Sequence, residues 1–162
     1  MNPPELDYET AHQERSVALN ALQRLISDIG RITSPPPSRV LIVDDQPESA
    51  QLLATQLADE FGPQVEIVLC ADPHEALARI HEEDWAALIF DADLQDPDLN
   101  GVTLARCAPS HRPRALYSGR VDIDDAARAL GVHALAKPCD TQGPAFRALV
   151  DDVLGGLRPT FA

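Results

Sequence analysis

The sequence predicts an α/β protein with a five-stranded, doubly wound parallel sheet that is preceded by an N-terminal α-helix. From residue 39 onward, five short apolar runs alternate with helical patterns, which is typical of parallel strands joined by covering helices. The runs are unbroken, as expected for strands that are buried on both faces. Before them, three consecutive prolines at 35–37 follow a long helical pattern and mark the one clear boundary in the chain.

The segment from Tyr8 to Ile32 has the pattern of one amphipathic helix. Five apolar residues recur at steps of four and three, and two more widen the stripe: Ala18, Leu22, Leu25, Ile29 and Ile32, with Leu19 and Ile26. The stripe covers too few heptads to establish a coiled coil by itself. It could pair with a second copy to form a homodimer, which we favour, or fold back over its own domain.

These patterns divide the chain into residues 1–34 (N-terminal helix and possible dimerisation element), 35–38 (proline-rich linker) and 39–158 (α/β domain). In the α/β domain, strands are predicted at 40–43, 65–69, 87–90, 114–117 and 133–136. Helices are predicted at 47–61, 72–83, 102–107, 123–130 and 144–157. Ligands of such sheets bind at the carboxyl ends of the strands, so the residues after each strand are the candidates for function.

The composition is acidic, with 26 Asp and Glu against 13 Lys and Arg and a formal net charge of −13. This balance argues against binding to nucleic acid or to an anionic membrane, and it favours a cation site or a basic protein partner. The widely spaced Cys70, Cys107 and Cys139 predict reduced thiols that fill the core. With no signal-peptide pattern and no membrane-spanning apolar run, we expect a cytoplasmic protein.

Polar residues follow four of the five predicted strands. Asp44 and Asp45 follow the first strand, Asp91 the third, Ser118 the fourth and Lys137 the fifth. Clustered carboxylates repel one another unless a cation neutralises them, and Mg²⁺ prefers oxygen ligands. An aspartate beside Mg²⁺ can attack a phosphoryl donor, while an amine and a hydroxyl hold the phosphoryl oxygens. Each motif alone also fits a helix cap or a turn, so their shared order on the strand ends carries the interpretation.

The ordered set resembles the signature positions of response regulator receiver domains in two-component signalling. The motifs are VLIVDD at 40–45, LIFD at 88–91, LYSG at 116–119 and AKP at 136–138. The resemblance implies a flavodoxin-like receiver fold with a cis peptide bond before Pro138. It also implies a signalling module that is not an enzyme beyond assisting its own phosphoryl transfer and dephosphorylation.

Residue roles follow from the resemblance. It implies Mg²⁺ as the cofactor, held by Asp44, Asp45 and Asp91, with the backbone carbonyl of Asp93 as a further ligand. Asp91 would be the phosphoacceptor and Ser118 would bond to the phosphoryl group. Lys137 would pair with Asp91 or with the phosphate.

Two aspartates compete for the role of phosphoacceptor. Asp93 has the family's usual spacing to Gly101, whereas Asp91 directly ends the apolar run and has the usual distance from the preceding helix. Because loops absorb insertions more readily than strands do, we favour Asp91, with a loop two residues longer than usual. The Asp93 carboxylate would then face the entrance for attacking water and tune the lifetime of the phosphoryl group.

The resemblance implies a histidine kinase or a histidine phosphotransfer protein as the phosphoryl donor. Little sequence follows Leu157, so we expect the output to be protein–protein contact. The family's usual aromatic residue is replaced by Ala134, which leaves a degenerate, non-phosphorylated receiver acting as a dimeric scaffold as an alternative. A less favoured alternative is a haloacid-dehalogenase-like phosphatase, because Asp91 and Asp93 resemble its nucleophile motif, although that family places the motif after its first strand.

Overall fold

The structure, a computed structural model, describes residues 8–33 and 37–157, with side chains at 10–29 and 37–157. Contacts divide the chain into two compact units, Met1–Pro36 and Pro37–Ala162. Residues 34–36, which include two of the four residues of the predicted linker, lie outside the described residues, and Ser38 already belongs to the first strand. Among the described helices, none has the length and apolarity needed to cross a bilayer.

The first unit contains one helix, α1 (Tyr8–Thr33), in agreement with the predicted amphipathic helix. Four apolar residues of its stripe are each more than half exposed: Leu19, Leu22, Leu25 and Ile26. A single helix cannot bury such a stripe against itself, so burial of the stripe requires contact with another element.

The second unit is a five-stranded parallel sheet in the order β2-β1-β3-β4-β5, which confirms the predicted fold class. The strands are β1 (Ser38–Val43), β2 (Val65–Cys70), β3 (Ala87–Asp91), β4 (Arg114–Ser118) and β5 (His133–Ala136). The helices are α2 (Pro47–Phe61), α3 (Pro73–Glu82), α4 (Gly101–Cys107), α5 (Ile123–Leu130) and α6 (Pro144–Leu157). A short 3-10 helix at Gly62–Gln64, which the sequence analysis did not predict, leads into β2.

Local signals in the sequence set the helix ends. The Asp72 side chain caps α3 by accepting a hydrogen bond from the backbone N–H of His74, and Asn100 caps α4 in the same way through Thr103. Helix α5 ends at Gly131, whose φ of 68° is the left-handed conformation that glycine adopts without strain. The caps at Asp72 and Asn100 fix where two loops at the carboxyl edge of the sheet end, and Gly131 begins a connection at the amino edge.

The core forms two layers, one on each face of the sheet. One layer packs the sheet against α2 and α6, with its centre at Leu53, Leu57, Phe146 and Leu149. The other packs it against α3, α4 and α5, with its centre at Ile80, Leu104, Leu116 and Ile123. Residues 40–43 of β1 are fully buried between the layers, which explains the unbroken apolar run.

Trp85 lies buried just before β3, at the amino end of the sheet. The guanidinium groups of Arg39 and Arg79 lie 4.6 Å and 5.5 Å from its ring centroid, and its Nε1 donates a hydrogen bond to the carbonyl of Arg79. Glu83 accepts hydrogen bonds from both arginines, at 2.7 Å from Arg39 Nη1 and 2.8 Å from Arg79 Nε. The indole is thereby held beside two arginines that both form ion pairs with Glu83.

The three cysteines are free thiols, but only two of them fill the core as predicted. Cys70 and Cys139 are buried, and burial raises the pKa of both thiols, that of Cys139 to about 11. Cys107 is exposed, so the prediction was wrong there. It lies on the outer face of α4, whose inner face buries Leu104 and Ala105.

Candidate functional site

Strand register brings two acidic positions together at the switch point between β1 and β3. The parallel ladder pairs Val43 with Phe90, so Asp44 and Asp91 come next on neighbouring strands at the same level. The connections from these two strands run to opposite faces of the sheet, which opens a crevice at this edge. The predicted convergence of Asp44 and Asp91 therefore follows directly from the register.

The next two ladders bring the remaining predicted residues to the same edge. Asp91 pairs with Tyr117, so Ser118 lies one residue farther along β4, and Ser118 in turn pairs with Ala136. Lys137 is therefore the first residue beyond β5. Its peptide bond to the following proline is cis, as the resemblance implied.

The alternation of side chains decides which residues face one another. Asp91 and Lys137 continue the set of residues that face α2 and α6, as Ile89 and Leu135 do before them. Ser118 continues the opposite set, that of Leu116. This alternation explains why Lys137 contacts Asp91, since both side chains lie on the same face of the sheet. Ser118 lies on the other face and does not contact that pair directly.

Three carboxylates converge at the edge. Asp44, Asp45 and Asp91 each place an oxygen within 4.8 Å of the other two. Asp44 and Asp91 are only 2% exposed, whereas Asp45 is partly exposed and borders the solvent. Backbone N–H groups orient all three: Gln46 donates to Asp44 at 2.8 Å, Gln95 to Asp45 at 3.0 Å and Asp93 to Asp91 at 2.9 Å.

Lys137 is the one cationic side chain that contacts the buried carboxylates among the described residues. Its Nζ lies 3.3 Å from Asp44 Oδ2 and 3.4 Å from Asp91 Oδ2. Burial opposes the charge on Lys137, but the two carboxylates outweigh it, so the pKa of the ammonium is raised. Burial and then the charge of Asp44 raise the pKa of Asp91, although a backbone hydrogen bond from Asp93 and the charge of Lys137 oppose that rise.

Ser118 and Asp93 form a second group beside the carboxylates. The Ser118 hydroxyl donates a 2.7 Å hydrogen bond to Asp93 Oδ2, and Asp93 Oδ1 lies 3.3 Å from Arg120 Nε. Sequence analysis placed the Asp93 carboxylate at the entrance for water, and in the structure it is partly exposed there but bonded to Ser118 and Arg120. Arg120 was not singled out, since only the meeting of two loops brings it to Asp93.

The loop that follows β3 is anchored at both ends. Gly101 begins α4 so close to β3 that a Cβ atom there would overlap the backbone carbonyl of Asp91. Between these ends, Asp96 accepts hydrogen bonds from the backbone N–H groups of Asp98 and Leu99, each at 2.9 Å. The loop is thus held by internal hydrogen bonds and by the close contact between its two ends.

The donor set fits Mg²⁺. Three carboxylate oxygens with no sulfur or imidazole nearby in the described cluster suit a hard cation, and the exposure of Asp45 leaves room for the waters that Mg²⁺ retains. The same oxygens suit zinc or copper less well, since those ions favour nitrogen and sulfur ligands. In such a group a carboxylate can act as the nucleophile toward a phosphoryl group, and the ammonium can offset the negative charge of the phosphoryl oxygens.

A model of the response regulator receiver domain matches residues 40–143. The chain belongs to this family. The receiver is similar to a putative response regulator from Chloroflexus aurantiacus J-10-fl, with 30% identity over 74% of this chain and 99% of that one and a TM-score of 0.59. It is also similar to a CheY-like receiver domain protein from Methanospirillum hungatei JF-1, with 22% identity over 75% and 97% of the two chains and a TM-score of 0.60. A comparison with curated proteins gives no significant match.

Receiver domains are signalling modules, and this receiver brings Asp44, Asp45, Asp91 and Lys137 together as predicted. Ser118 lies at the same edge but is engaged with Asp93. The position where the family usually has an aromatic residue holds a small, partly buried side chain, that of Ala134, which packs on the layer of α3, α4 and α5.

Proposed function

We propose that this receiver accepts a phosphoryl group on Asp91 from the phosphohistidine of a histidine kinase or a histidine phosphotransfer protein, and signals through protein–protein contact. The observation that carries the proposal is the Asp91 carboxylate, which is buried beside the Lys137 ammonium at 3.4 Å and lies within a three-carboxylate cluster. Such an arrangement supplies positioning and charge neutralisation, which phosphoryl transfer needs most.

In the proposed reaction, a carboxylate oxygen of Asp91 attacks the phosphorus atom of the donor. The phosphorus–nitrogen bond breaks, and its electron pair leaves with the imidazole of the donor histidine. The Lys137 ammonium stabilises the negative charge of the acyl phosphate, and Ser118 donates a hydrogen bond to a phosphoryl oxygen. In dephosphorylation, water attacks the phosphorus and the bond to the Asp91 oxygen breaks.

Asp44, Asp45 and Asp91, with the backbone carbonyl of Asp93, are the proposed ligands of Mg²⁺. The bound ion would supply neutralisation of the carboxylates and of the phosphoryl oxygens. Without a bound metal ion, Lys137 is the one side chain among residues 37–157 that offsets the negative charge of the cluster, so we expect phosphoryl uptake to require millimolar Mg²⁺ and to be lost in excess chelator.

The test is intact-mass spectrometry after incubation with acetyl phosphate and Mg²⁺, followed by location of the modified residue. We expect one added phosphoryl group, on Asp91, that is absent from Asp91→Asn. Asp93→Asn serves as the matched control and should still be modified at Asp91. Modification at Asp93 would move the acceptor to that residue, and no modification of the native chain would favour the scaffold alternative, which the small Ala134 also supports.

We also propose that α1 pairs with α1 of a second copy. The support is the accessible stripe around Leu22 and Leu25, which a second identical stripe would cover. Sedimentation of the full chain across a concentration range should show a dimer that the double substitution Leu22→Gln, Leu25→Gln dissociates. A native chain that stays monomeric at high concentration would exclude the dimer.

The three free thiols fit a reducing compartment, and we propose that the protein is located in the cytoplasm.

A further inference from the structure

The Ser118 hydroxyl already donates its one proton in a hydrogen bond in this structure. It is 2% exposed, donates to Asp93 Oδ2 at 2.7 Å and accepts a hydrogen bond from the backbone N–H of Arg120 at 3.1 Å. A serine hydroxyl has one proton to donate, so Ser118 cannot donate to a phosphoryl group on Asp91 while it donates to Asp93.

The acceptor of that proton is itself held in place. Arg120 Nε lies 3.3 Å from the second oxygen of Asp93, and the backbone N–H of Asp93 donates to Asp91 Oδ1 at 2.9 Å. Ser118 is the last residue of β4 and Arg120 lies in the loop that follows, so the end of β4 supplies the donor and the loop supplies the cation. Asp93 thus joins the loop after β4 to the Asp91 carboxylate through short, directed contacts.

We propose that Asp93 is a positioning residue that competes with the phosphoryl group for the Ser118 hydroxyl and so opposes the phosphorylated conformation. This inference rests on the proposed function, since it concerns the regulation of the same site. Phosphorylation of Asp91 places new acceptor oxygens near Ser118 and a second negative charge near Asp93. Ser118 then exchanges one acceptor for the other, and the Ser118–Asp93 hydrogen bond has to break first.

Two substitutions separate the hydrogen bond from the charge. Asp93→Asn removes the negative charge but keeps a side-chain oxygen that can accept from Ser118, whereas Asp93→Ala removes both. Asp122→Asn is the matched charge control, because Asp122 Oδ1 also lies 3.3 Å from Arg120 Nε and is on the exposed side of the loop. The probe is beryllofluoride with Mg²⁺, and fluorine NMR measures its affinity for the full chain.

We expect Asp93→Ala to bind beryllofluoride more tightly than Asp93→Asn, by a factor on the order of ten, which is the net size of one hydrogen bond to a charged or polar acceptor. Both should bind more tightly than the native chain, because each lacks the repelling carboxylate. In a Ser118→Ala background, the difference between the two Asp93 variants should disappear. Asp122→Asn should change the affinity less than either Asp93 variant.

Equal affinities of Asp93→Ala and Asp93→Asn would overturn the inference and leave the proposed function standing. A difference that persists in the Ser118→Ala background would overturn it as well, since the effect would not pass through the hydroxyl. A native chain that binds no beryllofluoride would instead remove the proposed function, and the inference with it. Asp93→Ala leaves the buried Ser118 hydroxyl without its acceptor, so urea unfolding should show a folded chain that is less stable than the native chain, whereas Asp93→Asn should stay close to it.

Discussion

Gly101, the first residue of α4, packs directly onto the backbone carbonyl of Asp91, the last residue of β3. The contact leaves no space for a Cβ atom. It fixes the start of α4 against the end of the strand that carries the proposed phosphoacceptor, whatever the length of the loop between them.

This contact predicts the effect of Gly101→Ala. The added methyl has to displace either the strand end or the helix, which should lower the free energy of unfolding by about 1–3 kcal/mol and reduce phosphoryl uptake on Asp91. Gly155→Ala is the matched control, because nothing lies within 4 Å of that position in α6, and there the change should stabilise the chain by up to about 1 kcal/mol. Urea unfolding compares the two, and equal stabilities would contradict the contact.

A second prediction concerns Lys137→Met in the absence and presence of Mg²⁺. Without the ion, the variant leaves Asp44 and Asp91 uncompensated, and the free energy of unfolding should fall by roughly 1–3 kcal/mol, less than for a fully buried pair because Lys137 is partly exposed. Mg²⁺ should stabilise the variant more than the native chain, because the site has lost a repelling cation. Arg128→Met, which breaks an exposed pair with Asp125, is the control and should change little. A loss that Mg²⁺ does not reduce would contradict the charge argument.

A third prediction concerns acid stability. Hydrogen bonds from Arg79 and then from Arg39 lower the pKa of Glu83 to about 2 from the ordinary 4.5. The folded state therefore favours the carboxylate, and its contribution to stability is complete above pH 4.5 and is lost as the pH falls toward 2. Glu83→Gln should lower stability at neutral pH and flatten the loss across this window. Glu82→Gln, at the exposed neighbouring position, should keep the native pH profile, and identical profiles for all three chains would contradict the assignment.

The thiols give a fourth prediction. Only Cys107 is exposed, while burial raises the pKa of Cys70 and of Cys139. Brief alkylation of the native chain at mildly alkaline pH should therefore label Cys107 alone, because the thiolate is the reactive form. Cys107→Ser should stay unlabelled until the chain is unfolded in urea. Rapid labelling of Cys139 in the folded chain would show that the loop after β5 opens readily.

Sequence patterns predicted the fold well where burial shapes the residue pattern. Residues 40–43 of β1 and 87–90 of β3, which are buried on both faces, form unbroken apolar runs, and the predicted bounds of α5, α6 and β5 match the structure. The beginning of β1 was missed because Ser38 and Arg39 are polar and join the sheet only through pairing with β2. The 3-10 helix at Gly62–Gln64 was missed because three residues carry no periodic signal.

The candidate site was predictable as far as strand ends determine it. Strand order and register bring Asp44, Asp91 and Lys137 together, whereas the sequence predicted only that these residues follow the strand ends of a parallel sheet. Spacing alone could not choose between the two aspartates, because the distance to Gly101 favours Asp93 whereas the end of the apolar run favours Asp91. The bonds of Asp93 to Ser118 and Arg120 were beyond prediction, since they depend on how two loops meet in space.

Trp85 is the sole tryptophan of the chain, and it lies six residues before Asp91, at the opposite end of β3. At about 3.3 Å per residue, the indole is roughly 20 Å from the proposed phosphoacceptor. Its fluorescence should therefore follow the loss of the sheet on unfolding while staying silent to chemistry at the acidic edge. The chain carries an intrinsic probe of its integrity that is optically independent of its signalling state.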